Sequence, residues 1–381
     1  MKVLIAPDKF KGSLPASQVC DILASAIRDS GKPYDAECIP MADGGEGTCE
    51  ILTRATGGQR MTCEVPDPLG RSIIATYGIS IDNKTAYIEM AAASGLQLLD
   101  SKEHNPLRTS SLGTGLMIRD AIRNGAKQIV LGVGGSATND AGTGMAAALG
   151  YRFLDSQGNE LPPNGSSLNE ITRIQAPTQP LENGVGITVL SDVTNPLYGS
   201  NGAAFIFAPQ KGACNEEVQL LDRGLKHLAS VVKNQLGKDM NFDGSGAGGG
   251  IAGGAFAFLN ARVQPGASYI IERLGIEERV RRCDLVFSGE GKLDSQSLSG
   301  KVVAAIGDVC RRNGKPFIIF CGRNELSDSQ VEGLGAMMIC SLVREGISTE
   351  DAMLNAEALL AAEGRRCLES LNALKSPPNR Y

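Results

Sequence analysis

The sequence predicts an α/β protein of two domains: a Rossmann-like parallel-sheet domain built discontinuously from both ends of the chain, with a second, mixed α/β domain inserted. Three observations predict it. Continuously apolar segments, the habit of parallel strands buried on both faces, gather near the two ends as KVLIAP, DLVF, PFIIFCG and AMMICSLV. Between them MTCEV, SIIATYGIS and TAYIEM are joined by turn signals at Pro66-Asp67-Pro68-Leu69-Gly70 and Asp82-Asn83, which is the pattern of an antiparallel meander. At 381 residues, and roughly 150 per domain, the chain is long enough for two cores. The expected divisions are 1–66 plus 283–381 for the Rossmann-like domain and 67–282 for the insertion, which carries the antiparallel strands and most of the glycine-rich loops.

In chain order, the strand at 2–7 ends on Asp8, Lys9 and Lys11. Ser13 then caps a helix whose apolar positions Val19, Ile22, Leu23, Ala26 and Ile27 keep helical spacing, and Gly31 closes it. A strand at 36–40 leads into MADGGEGT and a helix over about 47–56. Asp43 and Glu46 thereby lie just past a strand end, where open parallel sheets place their ligands. After the meander come a loop over 94–108, a helix over 113–124 and the stretch KQIVLGVGGSATNDAGTGMAAALG at 127–150.

That stretch organises the chain. Ile129, Val130 and Val133 mark a buried strand, and Asn139-Asp140 are placed to start a helix that stops at Gly150. Between them Gly134 and Gly135 open backbone N–H groups to a ligand, Ser136, Thr138 and Asn139 add donors, and Asp140 adds a charge. Such a loop suits an anion, phosphate above all. It lacks the Gly-Lys-Ser/Thr end of a P-loop and the third glycine of G-x-G-x-x-G.

Residues 155–184, rich in Asn, Pro, Gly and Ser, read as surface connection. VGITVLSD at 185–192 is a strand ending on Asp192, with Asn195 just beyond. FIFAPQKG sets Lys211 before a long helix to about 235, and GSGAGGG at 244–250, with Gly246, Gly248 and Gly249, opens another helix N-terminus. The parallel rhythm returns with DLVF running into Glu290, Lys292 and Asp294, then a helix over 300–313. Thr349 caps a last long helix, and KSPPNRY is a loose tail.

Composition excludes several classes of partner. Thirty-seven basic and 42 acidic side chains give a net charge of −5 with no block of like charge, which argues against nucleic acid or an anionic membrane surface. Ten cysteines without a C-x-x-C pair, mostly in apolar runs, read as reduced core residues of a cytoplasmic protein, and a zinc site is not expected. VLIAP is too short for a signal peptide, and no apolar run approaches the roughly 20 residues that span a bilayer. With only two histidines, His104 and His227, proton transfer and metal binding fall to carboxylates, lysines and hydroxyls.

Seven carboxylates stand at strand ends or in glycine loops: Asp8, Asp43, Glu46, Asp140, Asp192, Glu290 and Asp294. Lysines 9, 11, 211, 292 and 301 lie beside them. Carboxylates suit Mg²⁺ held together with substrate phosphates, and cations with backbone N–H groups suit the charge of a moving phosphoryl group. Repetition of such loops implies one shared site for a phosphorylated ligand.

The motifs APDKFKGSLPA, MADGGEGT, YIEMAAASGL, GVGGSATNDAGTGM, SDVTNPL, APQKGA, GAGGG and SGEGKLDSQSLSGK, in this order, resemble the type 1 glycerate kinases of bacteria over about residues 1–370. The resemblance implies ATP-dependent phosphorylation of D-glycerate with Mg²⁺, at the 2-hydroxyl in close relatives, with the 3-hydroxyl as the alternative. It also implies a Rossmann-like domain joined to a second α/β domain with the active site in the cleft. The oligomeric state stays open. A NAD-dependent hydroxy-acid oxidoreductase is a rival without a dinucleotide fingerprint or a candidate histidine, and a non-catalytic glycerate or nucleotide sensor is another. Chemistry then assigns Asp192 as the base that orients the glycerate hydroxyl, and Lys11 with Lys292 as neutralising cations. Asp43 and Glu290 take the metal, and loops 134–139 and 246–250 take the phosphates. Asp8, Lys9, Asp140, Asn195, Lys211 and Asp294 complete the binding group.

Overall fold

The computed structural model describes residues 1–178, 184–298 and 300–375, and its chain divides into two compact units, Met1–Asp43 with Ala267–Tyr381, and Gly44–Gly266. The first unit opens with β1 (Lys2–Ile5), α1 (Ala16–Asp29) and β2 (Asp35–Cys38). Helix α1 buries Val19, Leu23, Ala26 and Ile27, the face its spacing predicts, and Gly31 just past its end takes φ +64°.

The second unit follows, with α2 (Thr48–Ala55), β3 (Gln59–Pro66), β4 (Ser72–Ile79), β5 (Thr85–Glu89) and α3 (Ala91–Ser94). Next are α4 (Leu112–Arg123), β6 (Gln128–Gly132), α5 (Thr143–Ala148), β7 (Arg152–Leu154), β8 (Arg173–Gln175) and β9 (Gly186–Leu190). It closes with α6 (Ala203–Phe207), α7 (Asn215–Leu236), α8 (Ala247–Leu259) and β10 (Arg262–Gln264). Helix α9 (Gly266–Arg273) stands at the division, and α10 (Ile276–Arg282), β11 (Leu285–Leu293) and α11 (Val302–Arg312) re-enter the first unit. It is completed by β12 (Phe317–Asn324), α12 (Asp328–Leu334), β13 (Met338–Ser341), α13 (Thr349–Leu354) and α14 (Ala356–Lys375).

The first unit's sheet is parallel throughout, in the order β13-β12-β11-β1-β2. Strand β1 pairs with β2 on one side and, through Val3 and Leu285, with β11 on the other, so the winding reverses between β1 and β11. In open α/β sheets the crevice outside the carboxyl ends of strands at such a reversal is where ligands bind. Its core joins Val3, Ile5, Leu23, Phe287, Ile318, Phe320 and Leu360, with the Phe287 and Phe320 rings edge to face at 5.1 Å.

The second unit carries a six-stranded sheet in the order β10-β9-β6-β5-β4-β3, parallel from β10 to β5 and antiparallel from β5 to β3, with a separate β7-β8 pair. The meander seen in the sequence is this antiparallel edge.

The units divide at 43/44 and 266/267, where the sequence placed breaks at 66/67 and 282/283. The reason is packing. Strand β3 pairs along its whole length with β4, and α2 lies against β4 and β5, while α10 lies against β1 and α11. Two helices also differ from expectation. The one foreseen from Asn139 begins at Thr143, because Ala141 and Gly142 take φ +51° and +73°, and the last long helix breaks at Asn355 into α13 and α14. The expected loose tail falls, from residue 376 on, outside the described residues, as do 179–183 of the expected surface connection.

Candidate functional site: strand-end carboxylates and a buried lysine loop

In the first unit three carboxylates come from the carboxyl ends of three adjacent strands. Asp8 follows β1 and is 7% exposed, its backbone N–H donating to Gly289 O at 2.8 Å and so laying the loop along β11. Asp43 follows β2, where Met41 N–H donates to Pro7 O at 2.8 Å. Glu290 lies on β11 and is 8% exposed, and its Oε1 has no hydrogen-bond partner among the described residues.

The three act on one another. Burial first, and then the negative charge of Asp43, holds the Asp8 carboxyl up to about 7, with Glu290 adding and the Lys9 charge and N–H opposing. Burial likewise raises Glu290 to about 7; the Ser297 hydroxyl and Lys301 oppose it, and Asp294 and Asp43 add to it. Like charges facing one another, with an oxygen left over, fit the donor set of a hard divalent cation such as Mg²⁺. Among the described residues no group of three or more His, Cys, Asp or Glu encloses a metal by itself, so phosphate or water oxygens would complete the shell.

The lysines nearby are differently placed. Lys11 is exposed, whereas Lys292 ion-pairs with Glu325 at 2.8 Å and Asp294 at 3.5 Å, and Glu325 is the main cause that raises its ammonium. Asp294 accepts from Gln296 N–H at 2.9 Å, an Asx turn that shapes the loop after β11.

In the second unit Asp192 follows β9 and accepts from Gly266 N–H at 2.8 Å, joining the carboxyl ends of β9 and β10. Lys211 is 2% exposed, and its Nζ donates to Ser136 Oγ at 2.8 Å and to Thr138 O at 2.7 Å. Burial pushes its ammonium down to about 7, against the pull of Asp140. Asp140 is wholly buried. It accepts from Ser111 N–H at 2.8 Å, Ser111 Oγ–H at 2.7 Å, Gly142 N–H at 3.0 Å and Gly144 N–H at 3.2 Å. Burial still raises its carboxyl, and these bonds oppose the rise.

Asp140 and Lys211, expected on the ligand, therefore face the protein and brace the loop. The glycines behave alike. A Cβ at Gly249, which has φ +73°, would lie 1.9 Å from Thr138 O, and one at Gly246 would lie 2.3 Å from Pro196 O. A Cβ on Gly134 would lie 2.9 Å from Gly45 Cα, and Gly135 and Gly248 take φ +71° and +62°. Other backbone fills the space at Gly249, Gly246 and Gly134, and side chains fill it at Gly135 (Ala91) and Gly248 (Ile251, Met90 and Val133). Asn195 is half-buried, and its Nδ2 donates to Asn201 O at 2.9 Å.

What the loop keeps for a ligand is narrower. Asn139 is buried, and among the described residues neither of its amide atoms nor Thr138 Oγ1 has a hydrogen-bond partner. Each such atom costs about 1–3 kcal/mol, so three in two successive residues mark a strained polar spot.

Glu89, at the end of β5, was missed by sequence reasoning. Its Oε1 accepts from Gly47 N–H at 3.0 Å and Cys49 N–H at 2.8 Å, so a protein carboxylate holds the start of α2. Its only signal was its place within YIEMAAASGL.

Comparison with known proteins agrees with this architecture. The chain matches the glycerate kinase family over residues 3–372. It is 44% identical to the glycerate 2-kinase of Escherichia coli K12 over 324 residues, covering 84% of this chain and 85% of that one. It is 36% identical to the glycerate kinase of Bacillus subtilis 168 over 379 residues, 99% of each. A crystal structure from Salmonella typhimurium LT2, assigned as glycerate kinase 2, superposes with a TM-score of 0.84 at 38% identity over 98% of both chains. With a match that runs nearly from end to end in sequence and in fold, the chain belongs to the glycerate kinase family.

Proposed function

We propose that the protein transfers the γ-phosphoryl group of ATP to the 2-hydroxyl of D-glycerate, giving 2-phosphoglycerate and ADP, and that it works in the cytoplasm. The observation that carries this is the 44% identity, over most of both chains, to a relative named glycerate 2-kinase.

In this reading Asp43 and Glu290, with Asp8 beside them, hold Mg²⁺. The ion, when bound, neutralises charge on the phosphates. Asp192, fixed through Gly266 N–H, accepts the proton of the glycerate hydroxyl. Lys11 and Lys292 offset charge on the carboxylate or γ-phosphate, with Lys9 and Asp294 beside them. Of the glycine loops, Ser136, Thr138 and Asn139 keep side-chain groups for a ligand, and Lys211 sets the Ser136 hydroxyl.

Phosphorus-31 NMR of the product formed from D-glycerate and ATP-Mg²⁺ tests the proposal. A signal of 2-phosphoglycerate that grows in step with ADP is expected. Formation of 3-phosphoglycerate would overturn the regiochemistry, and ADP release that ignores glycerate would overturn the whole reading.

A further inference from the structure

Two cysteines of the first unit meet away from every group named above. Cys20 sits on α1 and Cys38 ends β2, the strand beside which α1 packs. Cys20 is buried, with Sγ 3.6 Å from Ile5 O, whereas Cys38 is exposed, with Sγ 3.6 Å from Cys20 O. The two side chains also act on each other electrostatically. Cys340 and Cys367 form a second pair in thiol contact, but both are buried. Contact is common to the pairs, and only the first gives an oxidant access to one member.

The pair is electrically unequal. Interaction with the Cys20 side chain, helped by Arg28, draws Cys38 below the ordinary thiol range against burial, Asp21 and Glu37, and Cys20 is pushed up. The thiolate is the reactive form, so the accessible sulfur is the one that attacks.

We propose that Cys38 and Cys20 are a modification site for oxidants of the peroxide class, at which oxidised Cys38 is resolved by Cys20 into a disulfide. The Cys38 thiolate attacks one oxygen of hydrogen peroxide; an S–O bond forms, the O–O bond breaks, and the leaving hydroxide takes a proton to become water. The Cys20 sulfur then gives up its proton and attacks the Cys38 sulfur, forming S–S and expelling the sulfenic oxygen as a second water. Two thiols lose two electrons to one peroxide. The bridge ties α1 to the strand that runs on, through Met41, to Asp43.

The test treats the folded full-length chain with hydrogen peroxide, removes the oxidant, unfolds the chain in denaturant, alkylates the remaining thiols and maps peptides by mass spectrometry. All but two of the ten thiols should be labelled, one cross-linked peptide should join Cys20 to Cys38, and dithiothreitol should restore full labelling. Cys38→Ser should abolish the cross-link, and Cys20→Ser should leave a Cys38 sulfenic acid that dimedone traps. Cys340→Ser should change neither result. Full labelling after peroxide, a cross-link elsewhere, or over-oxidation of Cys38 without the bridge would overturn the proposal.

Discussion

The carboxylates after β1 and β2 and on β11, and the Asp140–Lys211 loop of the second unit, both bury charge, yet they do so in opposite ways. Asp140 has four donors aimed at it and Lys211 two acceptors, so each charge is satisfied inward. Asp8 and Glu290 instead face a further carboxylate, Asp43, and Glu290 Oε1 meets no donor among the described residues. A buried charge with a full set of partners holds a backbone in place; buried like charges facing each other await something from outside.

The harshest way to break this comparison is Gly249→Ala. The added methyl meets Thr138 O at a backbone angle that L-residues avoid, so a loss of about 3 kcal/mol or more is expected in denaturant unfolding. Gly31→Ala, with φ +64° but nothing within 4 Å, should lose only about 1 kcal/mol. Equal losses would mean that the glycines serve φ alone and not close packing.

Next in size is Asp192→Asn. If the carboxylate takes the hydroxyl proton, kcat should fall at least ~10²-fold while the melting temperature holds, since an amide oxygen still accepts from Gly266 N–H. Wild-type turnover in that variant would remove Asp192 from the chemistry.

Glu290→Gln sharpens the contrast through pH. A carboxyl raised from 4.5 to about 7 binds its proton more tightly folded than unfolded. Its contribution to stability is present below about pH 4.5 and lost as the pH climbs to about 7. The variant should therefore melt higher than wild type above pH 7 and match it more closely in acid. Added Mg²⁺ should raise the wild-type melting temperature more at pH 8 than at pH 5, and the variant's less. A Mg²⁺ response that ignored Glu290 would move the metal elsewhere.

The last contrast belongs to Lys211→Met. An ammonium lowered from 10.5 to about 7 is held less tightly in the folded state, so wild-type stability should grow as the pH rises from about 7 to about 10.5. Methionine should abolish that growth, and melting curves across the window would read it.

The parallel strands of the first unit were legible because each is a continuous apolar run, and so was the return of the chain to that unit. Positions of carboxylates at strand ends were legible too. The partners were not. Nothing near Glu89 in sequence says that its carboxylate meets N–H groups about forty residues earlier, nor that Lys292 answers to Glu325 just past the end of the neighbouring strand. The glycines misled for the same reason. Gly246, Gly248 and Gly249 look like a cradle for phosphate, and only the folded chain shows the backbone of Pro196 pressed on Gly246, that of Thr138 on Gly249, and the Ile251, Met90 and Val133 side chains on Gly248. The divisions slipped because α2 and α10 read equally well on either side, and packing decided them.

The pairing of Val3 with Leu285 has a consequence for biosynthesis. The second unit is one unbroken stretch and can close while the ribosome is still working. The first unit cannot, because Lys2 N–H finds its acceptor on Asp284, 282 residues later, and until then α1 and β2 wait with their apolar sides uncovered. An early stop in translation would release a finished insert carrying an unfinished, aggregation-prone leader.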